Sequence, residues 1–365
     1  MSKITEAQIL AALSQVIEPE LHKDLVTLNM IQDLKITTNR VSFTIMLTTP
    51  ACPLKGQIEA EAVAAVRQIP GVADVEVTFD ARVPADARLL SKLNIGVRNA
   101  IAVASGKGGV GKSTMATNLA LSLSLEGATV GLLDADIYGP NIPLMMGVQG
   151  RPKAKGSRIQ PPVGHGIKLM SMGFLVDPKQ PLIWRGPMLH SAIRQFLQDV
   201  EWGDLDYLII DLPPGTGDAG LSLAQSLSLS GAVVVTTPQQ VAITDVVRSL
   251  GMFEQLNVPV LGIVENMSYF VAPDTGHRYD IFGHGGGATM AQEMGVPFLG
   301  EVPLEPAVRQ GGDEGTPIVI QDADSVAAQA IRQLARTIAA AVSVRNLAQT
   351  EEAQAAKGPN ISIIQ

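Results

Sequence analysis

The sharpest chemical signal in the chain is Gly106-Lys107-Gly108-Gly109-Val110-Gly111-Lys112-Ser113, with Thr114 next. It fits G-x-x-x-x-G-K-[ST] at every fixed position. Average residue usage gives such a match by chance in roughly one of a hundred chains this long. The surroundings narrow it further: an apolar run, NAIAVAS, leads in, and an amphipathic helix over 112–126 leads out. Glycines let the backbone turn its N–H groups onto phosphate oxygens. The helix start adds unpaired N–H groups and the positive end of a dipole. Lys112 can then reach the β- and γ-phosphates of ATP, and the Ser113 hydroxyl can ligate Mg²⁺. Lys107 is not needed for this cradle. It is either a solvated lysine or a charge offered to the phosphates of a neighbouring subunit, as an arginine finger would be.

Acidic residues close two of the apolar runs that follow. Asp134 and Asp136 end TVGLLDAD, and Asp211 ends YLIID. Carboxylates at the carboxyl ends of parallel strands face the crevice where ligands bind. Asp211 suits Mg²⁺, usually through its water. Asp136 suits orienting or deprotonating the attacking water, and Asp134 suits supporting metal and loop. Each has the plainer alternative of a turn or helix-capping residue. Pro213-Pro214-Gly215-Thr216-Gly217-Asp218 reads as a switch whose glycine N–H groups can move toward a γ-phosphate.

The elements that position these residues are strands alternating with helices. NAIAVAS, TVGLLDAD, YLIIDLPP, GAVVVTTP and PVLGIVENM are continuous apolar runs rather than alternating ones, as strands covered on both faces should be. The expected fold is α/β: a mostly parallel P-loop NTPase sheet with helices on both faces, preceded by a small α/β domain. The expected domains are 1–80 (order α-β-β-α-β), a linker over 81–98, the ATPase domain over 99–345, ending in a helix over 324–343, and a polar tail over 346–365.

The composition excludes several classes. The chain has 365 residues, 46% hydrophobic and 17% charged, which is ample for two cores. A net charge of -8 and 4% aromatic residues speak against nucleic acid as a partner. No run is long and apolar enough for a membrane span, and the polar MSKITEAQIL is no signal peptide, so the expected address is the cytoplasm with no membrane partner. Cys52 is the only cysteine, which excludes a cluster or zinc site held by several thiolates of one chain.

GKGGVGKST, LLDADIYGPNIP, WRGPM, IIDLPPGTGD, ENMSYF and DIFGHGGG together resemble the deviant-Walker P-loop ATPases, within them the Mrp or ApbC-like iron–sulfur cluster carriers, over about 99–340. LTTPACP at 47–53 is similar to the SufT-like domain of iron–sulfur assembly. The resemblance implies an ATP-hydrolysing homodimer with nucleotides at its interface, serving apo iron–sulfur client proteins and an assembly scaffold. It implies that Lys107 crosses between subunits, that Asn266 contacts adenine and that Pro303 lines the base pocket. It also implies a Cys-x-x-Cys after NMSYF, and here the chain departs: Ala272 and Thr275 stand at those positions. Neither offers a thiolate to a cluster. Three substitutes remain open. Cys52 can give one thiolate per subunit, its thiol activated by a helix N-terminus. His277 and His284 can give imidazole. Or a partner carries the cluster alone. The alternatives to a carrier are a positioning or partitioning switch of the same superfamily and a cluster-free assembly scaffold.

Overall fold

The computed structural model describes residues 4–92, 96–137, 139–175, 186–215, 217, 221 and 229–356. Tyr138, Trp184, Arg185, Thr216, Asp218 and residues 357–365, to which some of the expectations above refer, lie outside them.

The chain divides into two compact units, Met1–Pro84 with Ala339–Gln365, and Ala85–Ile338. The smaller unit has a three-stranded sheet in the order Ile31–Thr37, Arg40–Leu47, Asp74–Ala81. Its first pair is antiparallel and its second parallel. The alternation of RVSFTIML predicts one buried face, and Val41, Phe43, Ile45 and Leu47 are buried while the residues between them are partly exposed. Helices Glu6–Leu13 and Lys55–Arg67 supply Ile9, Leu13, Ile58, Ala62 and Val66 to the same core. The first helix starts where a capping box forms, with Thr5 accepting from the Gln8 amide and Gln8 reaching back. A short antiparallel pair, Ile17–Glu18 with Lys23–Asp24, has no counterpart in the sequence reading.

The larger unit is built on an eight-stranded sheet. Its order is Val163–Gly164, Ile167–Ser171, Val130–Asp134, Leu205–Asp211, Val97–Ser105, Gly231–Thr236, Val260–Asn266, Phe298–Val302. Only the first pairing is antiparallel. The strand entering the glycine loop therefore sits inside the sheet, between the strand that ends in Asp211 and Gly231–Thr236. Its residues Ala100 to Val103 are fully buried, which explains the unbroken apolar run. Helix Lys112–Leu125 packs on this sheet and is buried nearly all round from Met115 to Leu123.

Two boundaries differ from expectation. Within 81–98, the residues after Pro84 belong to the larger unit rather than to a linker: helix Ala87–Lys92 seats Leu89 in the main core, and buried Asp86 takes the Arg88 guanidinium at 2.7 Å. The final helix runs over Val326–Ala356, well past 343, so 346–356 is helix rather than tail. From Ala339 on it belongs with the first 84 residues. The reason is specific pairing by polar side chains: Ser343 Oγ donates to the Thr48 carbonyl at 3.1 Å, and Asn346 Nδ2 to the Pro84 carbonyl at 3.0 Å. A truncation after Ile338 should therefore speed amide hydrogen exchange in strand Arg40–Leu47, while strand Val97–Ser105 keeps its protection.

Candidate functional site

The glycine loop closes through contacts distant in sequence. Gly111 caps helix Lys112–Leu125 with φ +86°, a conformation that disfavours any side chain. A Cβ there would also collide with Asn266 Nδ2. Asn266 ends its strand and donates to the Val110 carbonyl at 2.8 Å, so one amide holds the loop from the far side of the cradle. Gly106 is confined differently: its Cβ would meet the Asp245 and Val246 backbone at 2.5 and 2.6 Å. Gly108 and Gly109 have nothing within 4 Å on that side, which leaves their backbone open to a ligand. Gly215, the first glycine of the expected switch, donates its N–H to the Ser105 carbonyl at 2.8 Å, at the mouth of the loop.

Inside the loop the ionisable groups converge. Lys112 is 6% exposed, and its Nζ lies 2.6 Å from Asp211 Oδ1 and 3.7 Å from Asp136 Oδ2. Ser113 Oγ donates to Asp211 Oδ2 at 2.6 Å. Asp211 is fully buried, and burial pushes its carboxyl up while Lys112 opposes the shift. A buried charge is tolerated only with such partners. The geometry thus brings together four residues expected to do the chemistry, Lys112, Ser113, Asp136 and Asp211. Asp134 differs. Its Oδ2 accepts from Ser171 Oγ at 2.8 Å and the Ile142 amide at 3.3 Å, and its Oδ1 from the Asp136 amide at 3.2 Å. Burial, and then the neighbouring Asp211 charge, raise its pKa to about 8. Held at both oxygens by protein donors, Asp134 braces the loop that carries Asp136.

Two cavities lie side by side. One, of about 440 Å³, is lined by Lys107, Gly108, Lys112, Ser113, Asp136 and Pro214 among others. The other, of about 420 Å³, is lined by Asn266, Met267, Pro303, Leu304, Val308 and Arg309 among others. Gly111, Thr114, Asn141 and Met145 line both. The first offers amides, cations and carboxylates, as a triphosphate with Mg²⁺ requires. The second is more apolar, with Asn266 and Pro303 in its wall, as a base requires. Asn141 falls within the LLDADIYGPNIP run, whereas Met145 carries no sequence signal of its own; helix Ile142–Met145 places both here.

The family model described as NUBPL iron-transfer P-loop NTPase matches residues 96–339. The chain belongs to that family. A second model, iron–sulfur cluster assembly protein, matches residues 6–79. An iron–sulfur cluster carrier protein of Synechocystis sp. is 53% identical over 351 residues, covering 94% of this chain and 99% of its own. Its Escherichia coli counterpart is 51% identical over 247 residues, covering 67% of each chain. Among solved structures, a nucleotide-binding protein from Archaeoglobus fulgidus in complex with ADP has a TM-score of 0.57 at 38% identity, covering 66% of this chain and 95% of its own. The septum site-determining protein MinD of Pyrococcus horikoshii, at 24% identity and TM-score 0.51, shares the fold. No helix among the described residues is long and apolar enough to cross a membrane.

In this member of the iron-transfer family, Ala272 and Thr275 sit in the connection of a hairpin, Phe270–Val271 with Arg278–Tyr279. The Ala272 amide donates to the His277 carbonyl at 2.9 Å, and Thr275 is exposed. His277 packs edge-on against Tyr279. Cys52 departs from expectation. Helix Lys55–Arg67 starts three residues after it, and the Leu54 and Lys55 amides do favour its thiolate. Burial outweighs them and, with Glu20 and Glu18 nearby, pushes the thiol up to about 11. It packs against the small unit's core and has no cluster of metal-ligating side chains around it among the described residues.

Two outcomes follow. Alkylation of Cys52 at pH 7.5 should be slower than that of a free thiol and should rise about tenfold per pH unit toward its pKa. Gly111→Ala should weaken ATP binding by at least about tenfold in a calorimetric titration, since the substitution is strained by φ and by the Asn266 amide.

Proposed function

We propose that this chain is a Mg-ATP-hydrolysing carrier that delivers iron–sulfur clusters to apoproteins, working as a homodimer whose opening and closing follow nucleotide state. The observation that carries the nucleotide half is the buried Lys112–Asp211–Ser113 cluster at the mouth of a helix N-terminus. The delivery half is supported by family membership and by relatives with carrier names that match nearly the whole chain.

The residues fit Mg-ATP. The open backbone of Gly108 and Gly109 leaves room for phosphates, and the hydroxyl of Ser113 and carboxylate of Asp211 are hard oxygen donors of the kind Mg²⁺ takes. When bound there, Mg²⁺ supplies positive charge to phosphate oxygens. Lys112 exchanges its Asp211 contact for phosphate and holds the charge that grows on the leaving oxygens. Asp136, on the loop braced by Asp134, accepts a hydrogen bond from the attacking water and orients it. Asn266 and Pro303 bound the base. Lys107 belongs to the phosphate cavity, and its role is to reach the phosphates of the facing subunit in the dimer. Gly215, tied to the strand that enters the loop, is where nucleotide state reaches the Pro213–Gly217 segment.

The cluster is cargo and reaches its clients through the dimer. Ala272 and Thr275 give it no thiolate, and Cys52 is a half-buried, poorly ionised thiol. The reading therefore assigns cluster sulfur ligation to glutathione or a partner, with this chain supplying the nucleotide-driven change of shape. The positioning-switch alternative receives no observation of its own.

Lys112→Ala should lower ATP hydrolysis by at least about a hundredfold and abolish ATP-stimulated activation of an apo iron–sulfur protein. Normal turnover in this variant overturns the site. Normal hydrolysis by the wild type with no effect on activation, with glutathione-ligated cluster supplied, overturns the delivery role.

A further inference from the structure

Strands Val260–Asn266 and Phe298–Val302 are parallel neighbours, and their register sets Glu265 directly beside Glu301. Like charges at adjacent strand positions repel, so a pair of this kind calls for a cation. Glu265 is fully buried, yet the nearby arginine, Arg278, pairs with Glu301 at 3.5 Å, and His284 Nδ1 lies 3.7 Å from Glu301. Among the described residues, Glu265 has no ion pair. It accepts from Ser268 Oγ at 2.6 Å and from the Gly285 and Gly287 amides at 3.3 and 2.5 Å, the last two at the start of helix Gly286–Met294. Those donors use three of a carboxylate's roughly four lone-pair sites and fix its orientation. One site is left. Ligand atoms of Glu265, His284 and Glu301 all lie within 4.8 Å of one another.

Arg278 occupies this corner. Its guanidinium lies 2.9 Å from His284 Nδ1 and 4.0 Å over the Tyr269 ring. An arginine has no acceptor, so His284 Nδ1 offers its lone pair here, which is the form that ligates a metal. Arg278 is 43% exposed and stands on a two-residue strand of the hairpin, so it can leave without unpacking the core.

We propose that Glu265, His284 and Glu301 form a site for one first-row divalent cation, with Arg278 as the cation it displaces. One imidazole and two carboxylates suit Fe²⁺, Co²⁺ or Zn²⁺ as a single ion; without thiolate they do not suit a sulfide cluster. The site shares no residue with the proposed Mg²⁺ ligands and stands whether or not the carrier reading does.

The test titrates the full-length, nucleotide-free chain with Co²⁺ in excess Mg²⁺, which saturates all-oxygen sites. Binding is read by visible absorption and by the hyperfine-shifted proton resonance of a coordinated imidazole. The expected result is one Co²⁺ per chain with one such resonance. His284→Ala should remove the resonance and weaken binding about tenfold or more, as should Glu301→Gln for affinity. Arg278→Ala should tighten binding severalfold. Unchanged ADP binding certifies that each variant is folded. A wild type without the resonance, a resonance that survives His284→Ala, or weaker binding in Arg278→Ala overturns the proposal.

Discussion

A lysine and an aspartate, both out of water, are held 2.6 Å apart at the centre of the larger unit. Neither charge could stand there alone. Asp211 is affordable because Lys112 and Ser113 satisfy its oxygens, and Lys112 is held because the helix it opens is packed on the sheet. The rest of the unit serves this arrangement. The strand order places the loop's strand next to the strand that ends in Asp211, with Asp134 one strand further on. In the proposed function a phosphate competes with Asp211 for Lys112, which makes the resting ion pair and the loaded site two states of the same lysine.

The loop's own geometry depends on a second, weaker constraint. The Asn266 amide that holds the Val110 carbonyl comes from a strand on the other side of Gly231–Thr236. It also lines the cavity suited to the base. In the proposed function, base and phosphates both bear on this one hydrogen-bonded loop, and the φ of Gly111 and the amide beside it leave no room for a Cβ.

Local chemistry was legible in the sequence and distant chemistry was not. The glycine loop, its lysine and serine, and the strand-end aspartates are written in short runs whose spacing has one mechanical meaning. The parallel sheet followed from unbroken apolar runs, and the one-faced sheet of the small unit from the alternation through Val41, Phe43 and Ile45. The partners that fix Asp134, Ser171 and the Ile142 amide, were not legible because they arrive from elsewhere in the chain. Cys52 was misread because proximity to a helix start is visible in sequence and burial is not. The stretch 346–356 looked like a tail because it is polar; the carbonyl that holds Asn346, that of Pro84, lies 262 residues earlier.

The chain joins this nucleotide site to a small unit of iron–sulfur assembly type and dispenses with the paired cysteines its relatives' resemblance implies. In the proposed function the work lies in the exchange of Lys112 between Asp211 and phosphate. Calorimetric titration of the wild type and Asp211→Asn with ATP, each with and without Mg²⁺, tests this most directly. The account predicts one ATP per wild-type chain, bound more tightly with Mg²⁺, and loss of that Mg²⁺ dependence in Asp211→Asn. No nucleotide binding by the wild type, or an unaltered Mg²⁺ dependence in the variant, would contradict it.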